Sequence, residues 1–288
     1  MFKITPFSIA LCLSFISMSF SSDKQAYSIY EINGKVSNYT RMLERLNEAD
    51  IILFGELHNN PIAHWLEYEI TVDLLESKKQ NLILGAEMFE SDDQLILNEY
   101  LNGFITDKTF KDEAKDWPNY TTDYKPLLDM AKKNKLEFIA TNIPRRYANM
   151  VFNRGIKSLD SISIEAKQWI CPLPFAYDSN LACYKEISKA TGGHGGENLK
   201  LSQASKDATM AHFILKHFKT GHTFIHYNGS YHSNNYESIV WYLRQSNPNL
   251  DIVTINTIES ESIEDFKTDA KGSANYIIHI PSSMTKTY

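Results

Sequence analysis

Residues 51–58, Ile-Ile-Leu-Phe-Gly-Glu-Leu-His, join a short apolar run to a group of polar side chains. A continuous apolar run that ends at a glycine is typical of a β-strand buried on both faces. Asn60 and Pro61 follow directly, and proline is favoured in the first turn of an α-helix. From Ile62 to Leu75 the apolar residues recur at helical spacing. The stretch therefore predicts a strand, a polar turn and a helix, which is the repeating unit of a parallel α/β sheet.

The same alternation of strand and helix continues along the chain. Further buried strands are predicted at residues 82–86, 136–141, 223–227, 252–255 and 275–280, with amphipathic helices between them. Asn33-Gly34 predicts a β-hairpin, and Ser37 is predicted to cap the helix that follows it. Ser91 and Gln94 have the spacing of a capping box. Continuous apolar strands separated by helices predict an α/β fold, with a mainly parallel sheet and helices on both faces.

One long segment breaks this alternation. Residues 157–197 contain the sequence Cys171-Pro-Leu-Pro174, then Cys183, and then the glycine-rich sequence Gly192-Gly-His-Gly-Gly196. Irregular inserts of this length are often lids or binding loops, and a purely structural excursion fits the sequence equally well. We predict a single domain over residues 23–288, in which this segment forms a helical and irregular cap. In an exported chain the two cysteines are predicted to form a disulfide, and two buried free thiols are the alternative.

The N-terminus has the pattern of a secretory signal peptide. Residues 1–22 contain one basic residue, Lys3, then an apolar run from Phe7 to Phe20 and small residues after it. We therefore predict export to the periplasm or cell envelope. Leu11, rather than a small residue, precedes Cys12, so a lipid anchor is not supported. The formal net charge of −6 argues against nucleic-acid binding, which requires a basic surface.

Polar side chains capable of chemistry follow four of the predicted strands. In chain order they are Glu56 and His58, then Glu87, then Asn142 and Arg145, and finally His232. Ligands of parallel α/β sheets bind at the carboxyl ends of the strands, so we predict that these side chains share one cleft. Helix capping by the Asn and Glu residues is the alternative interpretation.

Two further polar residues lie on predicted helices and are not assigned to the main set of cleft residues. Asp207 lies on the long helix predicted at residues 197–219 and is a weaker member of the site, expected to pair with Arg145 or to cap a neighbouring helix. His64 lies further along the helix after the first strand and is predicted to be a surface or packing residue.

The two Gly-x-x-His sequences, Gly55–His58 and Gly229–His232, are predicted to direct two imidazoles into the cleft. Two histidines and a carboxylate can bind a transition metal, perform acid–base catalysis or make polar contacts to a cofactor, and the residues alone leave these open. The sequence contains no Walker A loop, no Gly-x-Ser-x-Gly and no His-Glu-x-x-His. This argues against a phosphate-binding loop, a serine hydrolase and a zincin.

Five motifs, taken in order, resemble one known family. They are Leu53-Phe-Gly-Glu-Leu-His58, Gly85-Ala-Glu-Met-Phe89, Ala140-Thr-Asn-Ile-Pro-Arg145, Gln203-Ala-Ser-Lys-Asp-Ala-Thr-Met-Ala211 and Asn228-Gly-Ser-Tyr-His232. Over roughly residues 45–258 the chain resembles the ChaN-like haem-binding uptake proteins, which belong to a wider group with the Tiki proteases and the erythromycin esterases. The resemblance implies an α/β fold with a helical cap, haem binding and a role in iron or haem acquisition at the bacterial envelope.

The resemblance also implies a cofactor, partners and ligands. Haem is expected between the two subunits of a homodimer, with a tyrosine as iron ligand, and an outer-membrane haem receptor is the expected partner protein. The candidate iron ligands are Tyr147, Tyr177 and Tyr184, with His194 as a further candidate. Contacts to haem are expected from Glu56, His58, Glu87, Asn142, Arg145 and His232.

The other branches of the wider group imply an alternative function for the same cleft. This alternative is metal-dependent hydrolysis, with a divalent transition metal and with His58, Glu87 and His232 as the catalytic residues. Haem binding is the first expectation and hydrolysis the second.

Overall fold

The computed structural model describes residues 24–115, 117–192 and 194–288. The predicted signal peptide, residues 1–22, lies outside the described residues, and so does Cys12. Within these ranges, no helix has the length and the apolar character needed to cross a lipid bilayer.

A single mixed sheet organises the described chain. Its strands are β1 (Ser28–Glu31), β2 (Val36–Ser37), β3 (Ile51–Glu56), β4 (Leu82–Glu90), β5 (Glu137–Asn142), β6 (Thr223–Gly229), β7 (Ile252–Ser260) and β8 (Tyr276–Pro281). Their spatial order is β2-β1-β8-β7-β3-β6-β4-β5. Strands β3 to β8 run parallel to one another, and β1 is antiparallel to both β2 and β8. The predicted α/β fold with a mainly parallel sheet is confirmed.

Helices follow the strands as the sequence predicts. They are α1 (Tyr39–Leu46), α2 (Pro61–Lys78), α3 (Gln94–Leu101), α4 (Asp107–Glu113), α5 (Lys125–Asn134), α6 (Arg145–Arg154), α7 (Ile164–Lys167), α8 (Ala182–Ala190), α9 (Gly196–His217) and α10 (Ile239–Ser246). Asn60 caps α2 and Pro61 is its first residue, as the sequence predicts.

Both faces of the sheet are covered, and β3 shows why its sequence is continuously apolar. Successive side chains of a strand point to opposite faces. Ile52 and Phe54 accordingly enter the core cluster that includes helices α2 and α5, whereas Ile51 and Leu53 enter the cluster formed with α9 and α10. A strand buried on both faces has no position at which a polar side chain would be solvated. Its polar residues are therefore confined to the end, at Glu56 and beyond.

The strand ends are aligned by the sheet register. Ile51 pairs with Phe224, so that Glu56 at the end of β3 pairs with Gly229 at the end of β6. On the other side of β6, Ala86 of β4 pairs with Tyr227. The pairing of β4 with β5 is irregular between Ala86 and Glu90, and an irregularity of this kind changes the direction in which side chains point. Glu87, predicted to follow the strand, lies within this irregular part of β4.

The cap has more regular structure than the sequence predicts. Its segments are a 3-10 turn at Ile156–Ser161, followed by α7 and α8. A small apolar cluster, which includes Val151, Leu159 and Ile170, joins the first part of the cap to α6. The short helices form because local hydrogen bonds and this cluster order a segment whose prolines and glycines hide its periodicity.

The predicted disulfide does not form, because both cysteines are free and buried. Cys171 lies in the cluster with α9 and α10, where its backbone N–H donates to Thr209 Oγ1, and Cys183 lies in a different cluster with Tyr184. Burial raises the pKa of each thiol to about 12. The spacing of the cysteines could not show that the two side chains pack into separate clusters.

Two predicted helix caps are also wrong. Asn38, not Ser37, caps α1, because its Oδ1 accepts the N–H of Arg41 at 2.9 Å. Ser91 does not cap α3; its hydroxyl donates to the carbonyl oxygen of Trp169. The other half of the expected capping box, Gln94, bonds to the backbone of β5 instead.

Candidate functional site

A cleft opens at the carboxyl ends of β3, β4, β5 and β6. Its volume is about 740 Å³, within the range typical of small-molecule and cofactor sites. The predicted residues that line it are His58, Glu87, Asn142, Arg145 and His232. Side chains that the sequence analysis did not single out complete the wall, among them Trp117, Phe152, Lys206 and Tyr231. The structure therefore brings most of the predicted polar set together, while Glu56 lies behind it.

His232 is held between two carboxylates. It ends a 3-10 turn, Ser230–His232, directly after β6. Its Nδ1 donates to Asp207 Oδ1 at 2.5 Å, and its Nε2 lies 3.2 Å from Glu87 Oε1. Burial lowers the pKa of the imidazole, but the charges of Glu87 and Asp207 outweigh burial and raise this pKa to about 10. His232 is therefore an imidazolium at neutral pH.

Asp207 pairs with His232, so the expectation that it pairs with Arg145 or caps a helix is wrong. Its second oxygen, Oδ2, accepts a hydrogen bond from the Tyr184 hydroxyl at 3.0 Å. The residue is buried on α9, which packs against one face of the sheet and places one acidic side chain at the site. Asp207 thereby fixes the orientation of the His232 ring.

Glu87 is buried and remains ionised. Its Oε2 accepts the backbone N–H of Gly229 at 2.8 Å, and its Oε1 faces His232. Burial alone would raise the pKa of this carboxyl, but the charge of His232 and its hydrogen bond, with a further contribution from His58, hold that pKa well below its usual range. A negative charge is thus fixed in the cleft wall.

Gly229 explains how two histidines can approach this carboxylate. A Cβ atom at this position would lie 2.6 Å from His58 Nε2, closer than real contacts allow. Only glycine leaves room for the ring of His58. The second Gly-x-x-His sequence therefore supplies space for the histidine of the first.

His58 is the more accessible imidazole. Its Nδ1 donates to Glu56 Oε1 at 2.6 Å, and the same oxygen accepts the Tyr124 hydroxyl at 2.7 Å. The ring lies 4.7 Å from that of Trp117, and about a third of the side chain is exposed (32%). Burial lowers the pKa of His58, but the hydrogen bond to Glu56 and its charge outweigh burial and raise the pKa.

Asn142 ends β5, and Arg145 begins α6. Asn142 Oδ1 is buried and has no hydrogen-bond partner in the described part of the chain. Arg145 is an exposed side chain whose guanidinium pairs with the buried Glu90 and donates to the carbonyl oxygen of Lys115 at 3.2 Å. Asn142 offers a ligand an acceptor, while Arg145 offers a positive charge at the rim.

His64 is not the surface or packing residue that its helical position predicted. Its Nδ1 lies 3.0 Å from Glu67 Oε2 and 3.6 Å from Glu56 Oε2. Burial lowers its pKa, but Glu56, Glu67 and Asp123 together raise the pKa to about 10. The His-x-x-Glu spacing of His64 and Glu67 on one helix was the available signal, because residues three apart share a face.

The three candidate tyrosines have different surroundings. Tyr184 is buried and bonds to Asp207, and Tyr177 donates to Glu197 Oε1 at 2.6 Å. Tyr147 is half-buried in the cluster of the cap, on the face of α6 away from the cleft. The guanidinium carbon of Arg146 lies 4.5 Å from the centroid of the Tyr147 ring.

His194, the fourth candidate ligand, is exposed on the turn before α9. The structure places neither His194 nor any candidate tyrosine among the residues that line the cleft. The predicted site is therefore divided between a polar cleft and separate surfaces of the cap.

The arrangement can hold and move protons. An imidazolium lies between two carboxylates, and a second imidazole is fixed by a third carboxylate, all beside an open cleft. Groups whose pKa values are displaced in this way are typical of functional sites.

Comparison with known proteins finds similarity to one family. The profile of the family described as haem-binding uptake, Tiki superfamily, ChaN, matches residues 42–243. A search of curated proteins gives no significant match. Among solved structures, ChaN of Campylobacter jejuni, which binds haem cofacially, has a TM-score of 0.66 at 20% identity over 88% of this chain and 96% of its own. A Bacillus cereus protein has a TM-score of 0.50 at 12% identity, covering 84% of this chain and 90% of its own. At these identities the structural matches show a shared fold.

Proposed function

Because the chain belongs to the haem-binding uptake family of the Tiki superfamily, ChaN, we propose that it binds haem and serves iron or haem acquisition in the cell envelope. Haem would supply a ferric iron that can bind a donor atom of a protein side chain. The residues of this chain must then provide a donor atom for the iron, charges for the propionates and an apolar surface for the ring.

Tyr147 is the tyrosine whose surroundings best suit an iron ligand. A tyrosine binds ferric iron as the phenolate, so a neighbouring cation favours binding and a neighbouring carboxylate opposes it. Arg146 places its guanidinium against Tyr147, whereas Tyr177 donates to Glu197 and Tyr184 to Asp207. Burial and these carboxylates raise the pKa of Tyr177 and of Tyr184. The position of Arg146 is the observation that carries the assignment.

Haem titration of the purified protein tests this proposal. We expect saturable binding with the absorption spectrum of a tyrosinate complex, and loss of that spectrum in Tyr147→Phe. Tyr177→Phe is the matched control, since it removes a hydroxyl from a cap tyrosine with a carboxylate partner, and it should bind haem as the wild type does. A wild-type protein without saturable binding would contradict the proposed function. Loss of the spectrum in Tyr177→Phe alone would identify Tyr177, not Tyr147, as the iron ligand.

The cleft favours a second candidate function, hydrolysis by general acid–base catalysis. The supporting observation is the alignment Asp207–His232–Glu87, which places a proton donor in the wall of the open cleft that His58 also lines. An assay with an activated ester, with and without an added divalent transition metal ion, tests it. Activity that is lost in His232→Gln supports this candidate, and equal rates in both proteins contradict it.

Export remains part of the proposal, because haem acquisition in the envelope requires it. The supporting observation is the basic, apolar and small-residue order of residues 1–22. Mass spectrometry of the protein isolated from cells should find a chain that begins near residue 23. An intact Met1 on protein recovered from the cytoplasm would contradict export.

A further inference from the structure

Behind the cleft, three side chains meet in the protein interior: Glu56 at the end of β3, and His64 and Glu67 from α2. All three are buried, and one ligand atom from each lies within 4.8 Å of the others. His64 Nδ1 is 3.0 Å from Glu67 Oε2 and 3.6 Å from Glu56 Oε2. Ligand atoms lie about 3.4 Å apart in a tetrahedral site with bonds of about 2.1 Å. The spacing therefore suits a small metal ion.

Two oxygen atoms of this group are unsatisfied. Glu56 Oε2 and Glu67 Oε1 are buried, and no other residue that the structure describes gives either one a hydrogen bond. Glu56 Oε1, in contrast, accepts from both His58 and Tyr124. A buried carboxylate oxygen without a partner is costly. Glu56 Oε2 faces the His64 imidazole, and Glu67 Oε1 belongs to the carboxyl group whose other oxygen contacts the same ring, so both oxygens require a cation or a proton.

Residues outside the group form an outer shell around His64. His64 Nε2 lies 3.1 Å from the carbonyl oxygen of His58 and 3.4 Å from Asp123 Oδ2. These acceptors receive the proton of Nε2, so Nδ1, which faces the two glutamates, is the nitrogen that would bind a metal ion. Histidines that bind metals usually donate their other N–H to a carboxylate or a carbonyl in this way.

Asn119 fixes that outer shell. Its amide donates to Asp123 Oδ2 at 2.6 Å and to the carbonyl oxygen of His58 at 2.7 Å. Both acceptors of His64 are thus held by one side chain. The ring of His64 is oriented whether or not an ion is bound.

A separate hollow leads to the group from the surface. Its volume is about 470 Å³, and His64 and Asp123 lie in its wall with Trp65, Tyr68 and Thr287. It shares no lining residue with the cleft described above. An ion could therefore reach His64 without passing through the cleft.

We propose that Glu56, His64 and Glu67 bind one divalent transition metal ion, of the class that accepts imidazole and carboxylate ligands together, such as Zn²⁺. The ion completes the coordination of the two unsatisfied oxygens, and Asp123 supports His64 from outside. This site is distinct from the cleft, and it does not depend on haem binding.

Calorimetric titration of chelator-treated protein with Zn²⁺ tests the site. We expect one ion per chain. Glu67→Gln should weaken binding by at least about 100-fold, and Asp123→Asn by about 10- to 100-fold, the usual effect of an outer-shell change. Glu90→Gln is the matched control, since it alters another buried glutamate that lies outside the group, and it should leave the affinity unchanged.

Glu67→Gln is the appropriate variant because it preserves shape. The side-chain amide has the planar shape and nearly the size of the carboxyl group that it replaces. Circular dichroism should therefore show a folded variant. A second measurement needs no variant: Co²⁺ should broaden the imidazole resonances of His64 before those of His232.

Three results would overturn the proposal. They are equal Zn²⁺ affinity in the wild type and Glu67→Gln, no stoichiometric binding by the wild type, and binding that is lost in His232→Gln but kept in Glu67→Gln. The last result would place the ion in the cleft. A variant that loses Zn²⁺ binding but still binds haem would contradict neither the proposed function nor the metal site. The two proposals are therefore tested by different measurements.

Discussion

At the level of single residues, His232 gives the stability of the protein a defined pH dependence. Glu87 and Asp207 raise its pKa from 6.5 to about 10, so the folded protein holds a proton there that the unfolded chain releases. Its contribution to the free energy of unfolding is fully present below pH 6.5. That contribution should be lost as the pH rises through about 10.

Urea unfolding of the wild type and of His232→Gln between pH 6 and pH 10 measures this effect. The difference in unfolding free energy between the two proteins should shrink as the pH rises, and the imidazole of His232 should stay protonated in NMR spectra at pH 8. An imidazole that titrates near pH 6.5 would contradict the ion-pair geometry, because it would mean that neither carboxylate acts on it.

Most of the cleft could be predicted from the residues that follow the strands. Glu87, Asn142 and His232 were found because parallel strands bring their carboxyl ends to one edge. His64 and Asp207 were misjudged because a helical position does not reveal which face meets the sheet end. That direction depends on the packing of α2 and α9, which no single motif contains.

At the level of secondary structure, β5 shows how a helix side chain protects a strand. β5 is an edge strand, and edge strands leave backbone N–H and C=O groups unpaired. The amide of Gln94, the first residue of α3, donates to Phe138 O at 3.0 Å and accepts the N–H of Ala140 at 2.7 Å. One side chain thus replaces two hydrogen bonds of a missing neighbouring strand.

Gln94→Ala should therefore destabilise the protein by about 1–3 kcal/mol, the cost of leaving such groups without partners. Urea unfolding measures the difference. Leu95→Ala is the control, since Leu95 is 68% exposed on the same helix, and it should change the free energy of unfolding by less than about 0.5 kcal/mol. Equal stability of Gln94→Ala and the wild type would show that water satisfies the backbone groups at the edge of β5 as well as Gln94 does.

Strands and helices were easier to predict than the contacts at their ends. The apolar runs of β3 and β4 are continuous because both faces are buried, and that pattern is visible in the sequence. The role of Gln94 was not visible, because the spacing Ser91-x-x-Gln94 also fits a capping box. Its true partner is 44 residues away in the chain, on β5.

For the whole molecule, the proposed haem site has a consequence for assembly. Tyr147 is half-buried on the face of α6 away from the cleft, so a haem bound to it would lie on the protein surface and not in the cleft. A flat cofactor bound on an outer surface leaves one apolar face in water, and association of two such faces removes both from water.

We therefore expect haem to convert the protein from monomer to dimer. Analytical ultracentrifugation at micromolar concentration should show a sedimentation shift on addition of one haem per chain. Tyr147→Phe should remain monomeric with haem, whereas Tyr177→Phe should dimerise as the wild type does. A haem-loaded wild type that sediments as a monomer would contradict stacking between subunits, because a single chain would then have to shelter both faces of the ring. In that case the cleft, whose wall contains Phe152 and Leu199, would be the better location for the cofactor.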